Sequence, residues 1–326
     1  MRVLVTGVSG QLGHDVMNEL AKRGHLGIGS ATAPLYSGIA DGTAVTQMPY
    51  IAMDITDSAS AERTFQKVLP DAVIHCSAWT AVDLAEDKLK KVQDINATGT
   101  KYIAKMCKKL NCKMLYISTD YIFDGQGTIP WDPDCKNYSP LNVYGQTKLE
   151  GELAVSSLLQ KYFIIRISWV FGKNGKNYIK TMLNLGKNHD TLRIVNDQIG
   201  TPTYTFDLAR LLVDMAETEK YGYYHATNSE LSDKEGAYTP EGCKTGYISW
   251  FDFTKEIFRQ VTALGYEKYA PQNTKLIPVT TAEYGISKAA RPFNSRLDKR
   301  KLTENGFTPL PDWPDAIHRY LKEIEI

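Results

Sequence analysis

An apolar strand that runs straight into three evenly spaced glycines, and from them into a helix, leaves a chain few folds to choose from. Val3-Leu-Val-Thr6 is followed by Gly7-Val-Ser-Gly10-Gln-Leu-Gly13 and then by a helical pattern over residues 10–23. With 24 glycines in 326 residues, three at this spacing arise by chance about 0.1 times in such a chain. The strand before and the helix after sharpen the signal. Gly7 makes a tight turn, Gly10 lets backbone approach a pyrophosphate, and Gly13 lets the helix pack on the sheet. The helix N-terminus then offers N–H groups and a positive dipole end to phosphates. A bare strand-to-helix turn is the competing reading. The second strand reads Leu26-Gly-Ile-Gly-Ser30-Ala-Thr32 and carries no carboxylate to take a ribose 2′-hydroxyl. A neutral Ser30 removes the repulsion of a 2′-phosphate, so the expected cofactor is NADPH, with NADH also usable.

Short β-rich runs alternate with helical stretches through the first half. Strands are expected at 2–6, 25–29, 71–76, 113–118 and 163–168, and helices at 10–23, 58–68, 92–110 and 140–160. Such alternation predicts right-handed crossovers and an α/β, doubly wound parallel sheet of the Rossmann type. The pattern loosens after residue 170, with helices at 177–185 and 204–218 and a strand at 223–227 that returns to the sheet. The expected organisation is a dinucleotide-binding domain over 1–170, with return segments near 204–228. A smaller, discontinuous substrate-binding lobe takes most of 171–326. Two aperiodic segments, 31–49 and 229–246, read as surface loops.

Composition narrows the class. Lys plus Arg number 38 against 37 Asp plus Glu, a net charge of +1, so there is no basic field to hold a nucleic acid. The mean hydropathy is negative, and no 18-residue apolar run suggests a membrane helix. A glycine at position 7 comes too early for the apolar core of a signal peptide. Five cysteines, at 76, 107, 112, 135 and 243, show no paired spacing. They read as reduced thiols of a cytoplasmic protein and argue against a metal site.

Tyr144-Gly-Gln-Thr-Lys148 is a Y-x-x-x-K pair, a pattern that 19 tyrosines should produce about once or twice by chance. A second, Tyr284…Lys288, does occur, but lies beyond the recognisable sheet. Tyr144 instead opens a helix that leads into a sheet strand, and residues four apart on a helix share a face. The Lys148 ammonium beside the phenol is expected to pull its pKa down toward working pH, as a general acid for carbonyl reduction requires. The strand Met114-Leu-Tyr-Ile-Ser118-Thr119-Asp120 ends in a polar cluster, at the strand end where ligands bind in a parallel sheet. Thr119 is the expected partner of a substrate carbonyl. His75, on an apolar strand, reads as packed.

These residues, with Trp79-Thr-Ala-Val-Asp83, Ser118-Thr-Asp-Tyr121, Ile129-Pro-Trp131, Ser139-Pro-Leu-Asn-Val-Tyr144, Arg166-Ile-Ser-Trp169, Asn196-Asp-Gln198 and Arg291-Pro-Phe-Asn-Ser-Arg296, run in order along nearly the whole chain. The set resembles the dTDP-4-dehydrorhamnose reductase family of extended short-chain reductases. The resemblance implies NAD(P)H-dependent reduction of the 4-keto group of a dTDP-linked 6-deoxyhexose to give dTDP-L-rhamnose, by a monomer or homodimer. It implies Thr119, Tyr144 and Lys148 as the catalytic set and Gly10, Gln11 and Leu12 as the pyrophosphate loop. It further implies an adenine contact at Asp54 and Ile55, a cofactor wall at Ala78, Trp79 and Thr80, and sugar-nucleotide contacts at Asp120 and Trp169. The chain departs from the family at Ser30, where an acid is frequent, and at His75-Cys-Ser77, where Asn-Ala-Ala is common.

Two other readings stay open. An epimerase or 4,6-dehydratase of the same superfamily would need a second carboxylate beside Asp120, where this chain has Tyr121. A non-catalytic regulator, like the β subunit of methionine adenosyltransferase, would keep the fold without using Thr119, Tyr144 and Lys148.

Overall fold

The computed structural model describes residues 1–231, 239 and 242–326. In chain order its main elements are β1 (Arg2–Thr6), α1 (Gln11–Lys22), β2 (Leu26–Ala31), β3 (Tyr50–Ala52), α2 (Ser58–Val68), β4 (Ala72–His75), α3 (Thr100–Leu110), β5 (Lys113–Thr119), α4 (Val143–Leu158) and β6 (Tyr162–Ile167). Then follow α5 (Tyr178–Asn188), β7 (Thr191–Val195), α6 (Thr205–Ala216), β8 (Gly222–His225), α7 (Trp250–Ala263), β9 (Lys275–Val279) and α8 (Trp313–Leu321). Seven strands form one sheet in the order β8-β6-β5-β4-β1-β2-β3, every pairing parallel. The order reverses between β1 and β4, which opens a crevice at their carboxyl ends.

Period-two alternation builds the two faces of that sheet. Val3, Val5, Ile74, Leu115 and Ile165 pack with α1 and α6, while Leu4, Val73, Met114, Tyr116 and Ile164 pack with α2 and α3. A second core joins Ile179 of α5, Leu192 of β7, Phe253 and Ile257 of α7, and Trp313 and Tyr320 of α8 with Phe171 and Tyr204, and β9 pairs with β7 beside it. Of these elements, β7, β9, α7 and α8 lie in the stretch whose pattern had loosened. Their starts are nonetheless written locally: Ser249 and Asp252 form a capping box on α7, and the Asp312 side chain caps α8.

Several boundaries differ from expectation. β2 runs to Ala31, and β3 adds a strand at the end of the 31–49 segment. That segment is not a free loop: Val45 is buried, its amide donates to Asn18 Oδ1 at 2.9 Å, and Asp41 pairs with Lys173 at 3.0 Å. Helix expected from residue 92 begins earlier and widens into a π turn over Asp94–Gly99, where a Cβ on Gly99 would stand 2.9 Å from Ile55 Cγ1. Of the 229–246 segment, residues 232–238, 240 and 241 lie outside the described residues, while Ser229 pairs with Asp312 and Cys243 is buried. No described helix is long and apolar enough to cross a membrane.

Candidate active site

The crevice holds two adjoining cavities of about 640 and 590 Å³, which share Gly7, Gly10, Cys76 and Ala78 in their walls. Gly7 sits at φ +68°, and a Cβ there would come within 2.8 Å of Ser77 N. A Cβ on Gly13 would stand 2.5 Å from the Gly7 carbonyl. Gly10 N-caps α1 with no side chain over the helix start, and no acid lies in the first turn. Gln11, Leu12 and Gly13 border the larger cavity there. Close backbone approach with an uncapped, side-chain-free helix N-terminus is the cradle a pyrophosphate needs, so the loop fits a dinucleotide.

The smaller cavity is bordered by Ala31, Thr32, Asp54 and Ile55. Asp54 Oδ1 accepts from the Thr56 amide at 2.9 Å and hydroxyl at 2.7 Å. Ser30 is not at this wall. It pairs in register with Thr6, is buried, and its hydroxyl has no partner. Ser30 shares the face of Ile28, which packs into the core with Leu4, while Ala31 and Thr32, also neutral, border the cavity where the strand ends. Thr80 borders the larger cavity. Trp79 borders neither cavity: its amide donates to Asn96 Oδ1 at 2.8 Å, and its indole N–H goes to the Ala81 carbonyl at 3.1 Å.

The larger cavity is where Thr119, Asp120, Tyr144, Lys148 and Trp169 come together. Thr119 ends β5. Tyr144 and Lys148 lie one turn apart on α4, whose start is fixed by Asn142 Oδ1 accepting from the Gly145 amide at 2.8 Å. Lys148 Nζ donates to the Ile117 carbonyl at 2.6 Å and lies 4.1 Å from the Tyr116 ring centroid. Burial lowers its amine to about 7. The phenol of Tyr144 moves the other way from expectation. Its enclosure raises its pKa above the ordinary tyrosine range, the Thr119 hydroxyl opposes the rise, and Asp120 and Tyr121 reinforce it. The ammonium is engaged with a carbonyl, so the expected downward pull of Lys148 is not what governs this phenol.

Thr119 Oγ1 donates to Asp120 Oδ1 at 3.0 Å and accepts from the Tyr121 amide at 3.2 Å. Burial raises the Asp120 carboxyl to about 6, and its Oδ2 has no partner. Ser118 borders the cavity too, its hydroxyl buried and unpartnered. Trp169, at φ +51°, stacks on Trp250 with centroids 3.8 Å apart. The Trp250 indole N–H donates to Gln198 Oε1 at 3.2 Å. Tyr121 packs edge-on against Tyr144 at 5.5 Å and accepts from Arg291 Nη1 at 3.2 Å, while Arg291 Nη2 reaches Asp83 Oδ2 at 2.6 Å.

Trp250, Tyr121 and Arg291 were not singled out from the sequence as site residues. The capping box at Ser249 would have placed Trp250 on the first turn of a helix, but nothing local points it at Trp169. Trp131 has a packing role, stacked on Phe123 at 4.4 Å. The second tyrosine–lysine pair stays outside both cavities, with Lys288 paired to Asp87.

Across residues 1–326 the sequence fits the model of the family described as RmlD substrate binding domain. The chain belongs to this family. A Bacillus subtilis (strain 168) relative, described as spore coat polysaccharide biosynthesis protein SpsK, is 34% identical over 99% of this chain and 97% of its own length. The dTDP-4-dehydrorhamnose reductase of Escherichia coli (strain K12) is 33% identical over 99% of this chain and 98% of its own. Among solved structures, dTDP-4-dehydrorhamnose reductase from Bacillus anthracis in complex with NADP superposes with a TM-score of 0.81 at 35% identity, covering 99% of both chains. A UDP-glucose 4-epimerase from Thermotoga maritima, at 17% identity and TM-score 0.77 over 99% of this chain and 98% of its own, shares the fold of the family.

Proposed function

We propose that this member of the family is a dTDP-4-dehydrorhamnose reductase, using NADPH to reduce the 4-keto group of dTDP-4-dehydro-6-deoxy-L-mannose to dTDP-L-rhamnose. One observation carries the reading: Thr119, Tyr144 and Lys148 border the same cavity as the three-glycine turn from Gly7 to Gly13. Bound NADPH supplies the hydride. Gly10, Gln11, Leu12 and Gly13 hold its pyrophosphate, Asp54 and Ile55 its adenine end, and Ala78 and Thr80 its wall. Tyr144, which holds its proton firmly, delivers that proton to the substrate's carbonyl oxygen as negative charge develops there. Thr119 turns its one hydroxyl proton from Asp120 Oδ1 to the same oxygen as a second hydrogen bond, and Lys148, tied to the Ile117 carbonyl, holds α4 against β5. Asp120, through its free Oδ2, and Trp169, through its ring, contact the sugar nucleotide. Residues 1–170 with the return near 204–228 hold the cofactor, and most of 171–326 holds the sugar nucleotide. Tyr121, committed to Arg291, takes the place where a dehydratase would need its second carboxylate.

Purified protein mixed with NADPH and the dTDP-linked 4-keto-6-deoxy-L-hexose is expected to consume the nicotinamide absorbance. Tyr144→Phe should lose kcat by about 10²–10⁴-fold. No turnover by the wild type, or full activity in Tyr144→Phe, overturns the reading.

A further inference from the structure

His75 ends β4 at the crevice, and the hydrogen bonds around it can be resolved proton by proton. The ring is buried, bonded through Nδ1 to Thr6 Oγ1 at 2.8 Å and through Nε2 to Thr100 Oγ1 at 3.1 Å. Tyr116 stacks on it at 5.9 Å. Burial, with Lys148 nearby, lowers the imidazole to about 3, so the ring is neutral at working pH. A neutral imidazole has one donor and one acceptor, and a hydroxyl has one proton to give. Thr100 spends its proton on the Asn96 carbonyl at 2.7 Å. Toward His75 it can only accept, so Nε2 carries the hydrogen. Nδ1 is then bare and takes the proton of Thr6. The Thr6 oxygen, its proton spent, accepts the Ser77 amide at 3.2 Å.

The chain of bonds therefore has one direction: Ser77 N–H to Thr6 to His75 Nδ1, and His75 Nε2–H to Thr100 to the Asn96 carbonyl. Asn96 closes it. Its Oδ1 accepts from the Trp79 amide at 2.8 Å and its Nδ2 donates to the Trp79 carbonyl at 3.2 Å. The same Nδ2 reaches Thr147 on α4 at 3.2 Å. Both ends of the 77–79 backbone are thus held by one circuit, and that backbone lies against Gly7, where a Cβ would meet Ser77 N at 2.8 Å. Cys76 and Ala78, on either side of Ser77, border both cavities.

We propose that His75 is a positioning residue, the neutral Nε2–H hub of a directed hydrogen-bond circuit that sets the spacing between the phosphate loop and the 77–79 wall of the cofactor cleft. The proposal rests on the reading of that cleft as an NADPH site, but the circuit can be tested without cofactor. In the full chain, ¹⁵N-labelled at histidine, two-bond correlation spectra should show His75 as the Nε2–H tautomer. An Nδ1–H tautomer or an imidazolium at neutral pH overturns the circuit. Calorimetric titration with NADPH supplies the second readout. Thr6→Val, which keeps the shape and removes the link, should bind about tenfold more weakly, while Thr6→Ser should stay within about twofold. In turnover the Thr6→Val loss should fall on KM for NADPH and not on kcat. A packing role alone would lower the melting temperature and leave NADPH affinity in place; equal affinity in Thr6→Val and wild type therefore overturns the positioning role. If Thr6→Val does not fold, the wild-type tautomer decides. If the wild type itself binds no NADPH, the cofactor reading fails, and the spectrum still judges the circuit.

Discussion

At the phosphate-loop end of the cleft, the walls are backbone: seven residues from Gly7 to Gly13, and the 77–79 segment whose amides and carbonyls are tied to Thr6 and Asn96. At the end where the proposed function puts the sugar nucleotide, the sugar end, they are side chains gathered from distant stretches. Tyr121 meets Arg291 across 170 positions, and Arg291 meets Asp83 across 208. The Asp120 carboxylate there keeps one oxygen unpaired in a buried place. The first end withholds side chains from the uncapped start of α1, so the groups it leaves open are backbone amides. An end built from converging side chains keeps polar atoms open for a ligand, which costs stability.

The largest expected consequence concerns that cost. Asp120 has its folded pKa raised to about 6, above an unfolded value of ~3.9. Its favourable share of stability is whole below pH ~4 and is lost as pH rises through 6. By pH 8 the wild type has forgone about 3 kcal/mol. Asp120→Asn should therefore be more stable than wild type at pH 8, with the advantage shrinking toward zero near pH 4, while turnover falls. Urea unfolding at pH 4, 6 and 8 reads this directly. A difference that does not vary with pH would show that the sugar end carries no such cost.

How much was legible follows the same division. The sheet, the glycine turn and the shared face of Tyr144 and Lys148 could be read because each depends on neighbours in sequence: apolar alternation, glycine spacing, one helical turn; Thr119 borders the same cavity because it ends a sheet strand. Ser30 was misplaced because the strand runs two residues further than its composition suggests, so Ser30 lies within the sheet beside Thr6 and the strand end falls at Ala31. The Tyr144 phenol was expected to fall toward working pH from its spacing to Lys148. Its actual surroundings come from burial and from Asp120 and Tyr121, and the ammonium is turned to Ile117. The Trp169–Trp250 stack and the Arg291 tie depend on how the second core docks, which no local pattern encodes.

A smaller effect tests the cofactor end. Gly13→Ala places a Cβ 2.5 Å from the Gly7 carbonyl, and such overpacking costs about 1–3 kcal/mol. NADPH affinity should fall by about 30-fold. Affinity for dTDP, which meets side chains at the other end, should change by less than about twofold. Calorimetry with each ligand separately checks this, and a parallel loss for both would mean that the two ends are not built independently.

The smallest effect lies at the long-range tie. Arg291 joins Asp83 through a half-exposed ion pair, which contributes at most about 1 kcal/mol, and it donates to Tyr121, whose ring packs edge-on against Tyr144. Removing the guanidinium frees the Tyr121 hydroxyl and loosens Tyr121 against Tyr144 in the wall of the larger cavity, but leaves the Gly7–Gly13 loop untouched. Arg291→Met, which keeps most of the apolar stem, should raise KM for the sugar nucleotide about fivefold while NADPH affinity stays within about twofold. Asp83→Asn, which weakens the exposed pair but leaves the Tyr121 bond, should have the smaller effect of the two. Steady-state kinetics with each substrate varied in turn separates these outcomes. If Asp83→Asn equals or exceeds Arg291→Met, the tie works through the surface pair and not through Tyr121. If Arg291→Met weakens NADPH as much as sugar nucleotide, the side chains converging at one end are also setting the backbone at the other.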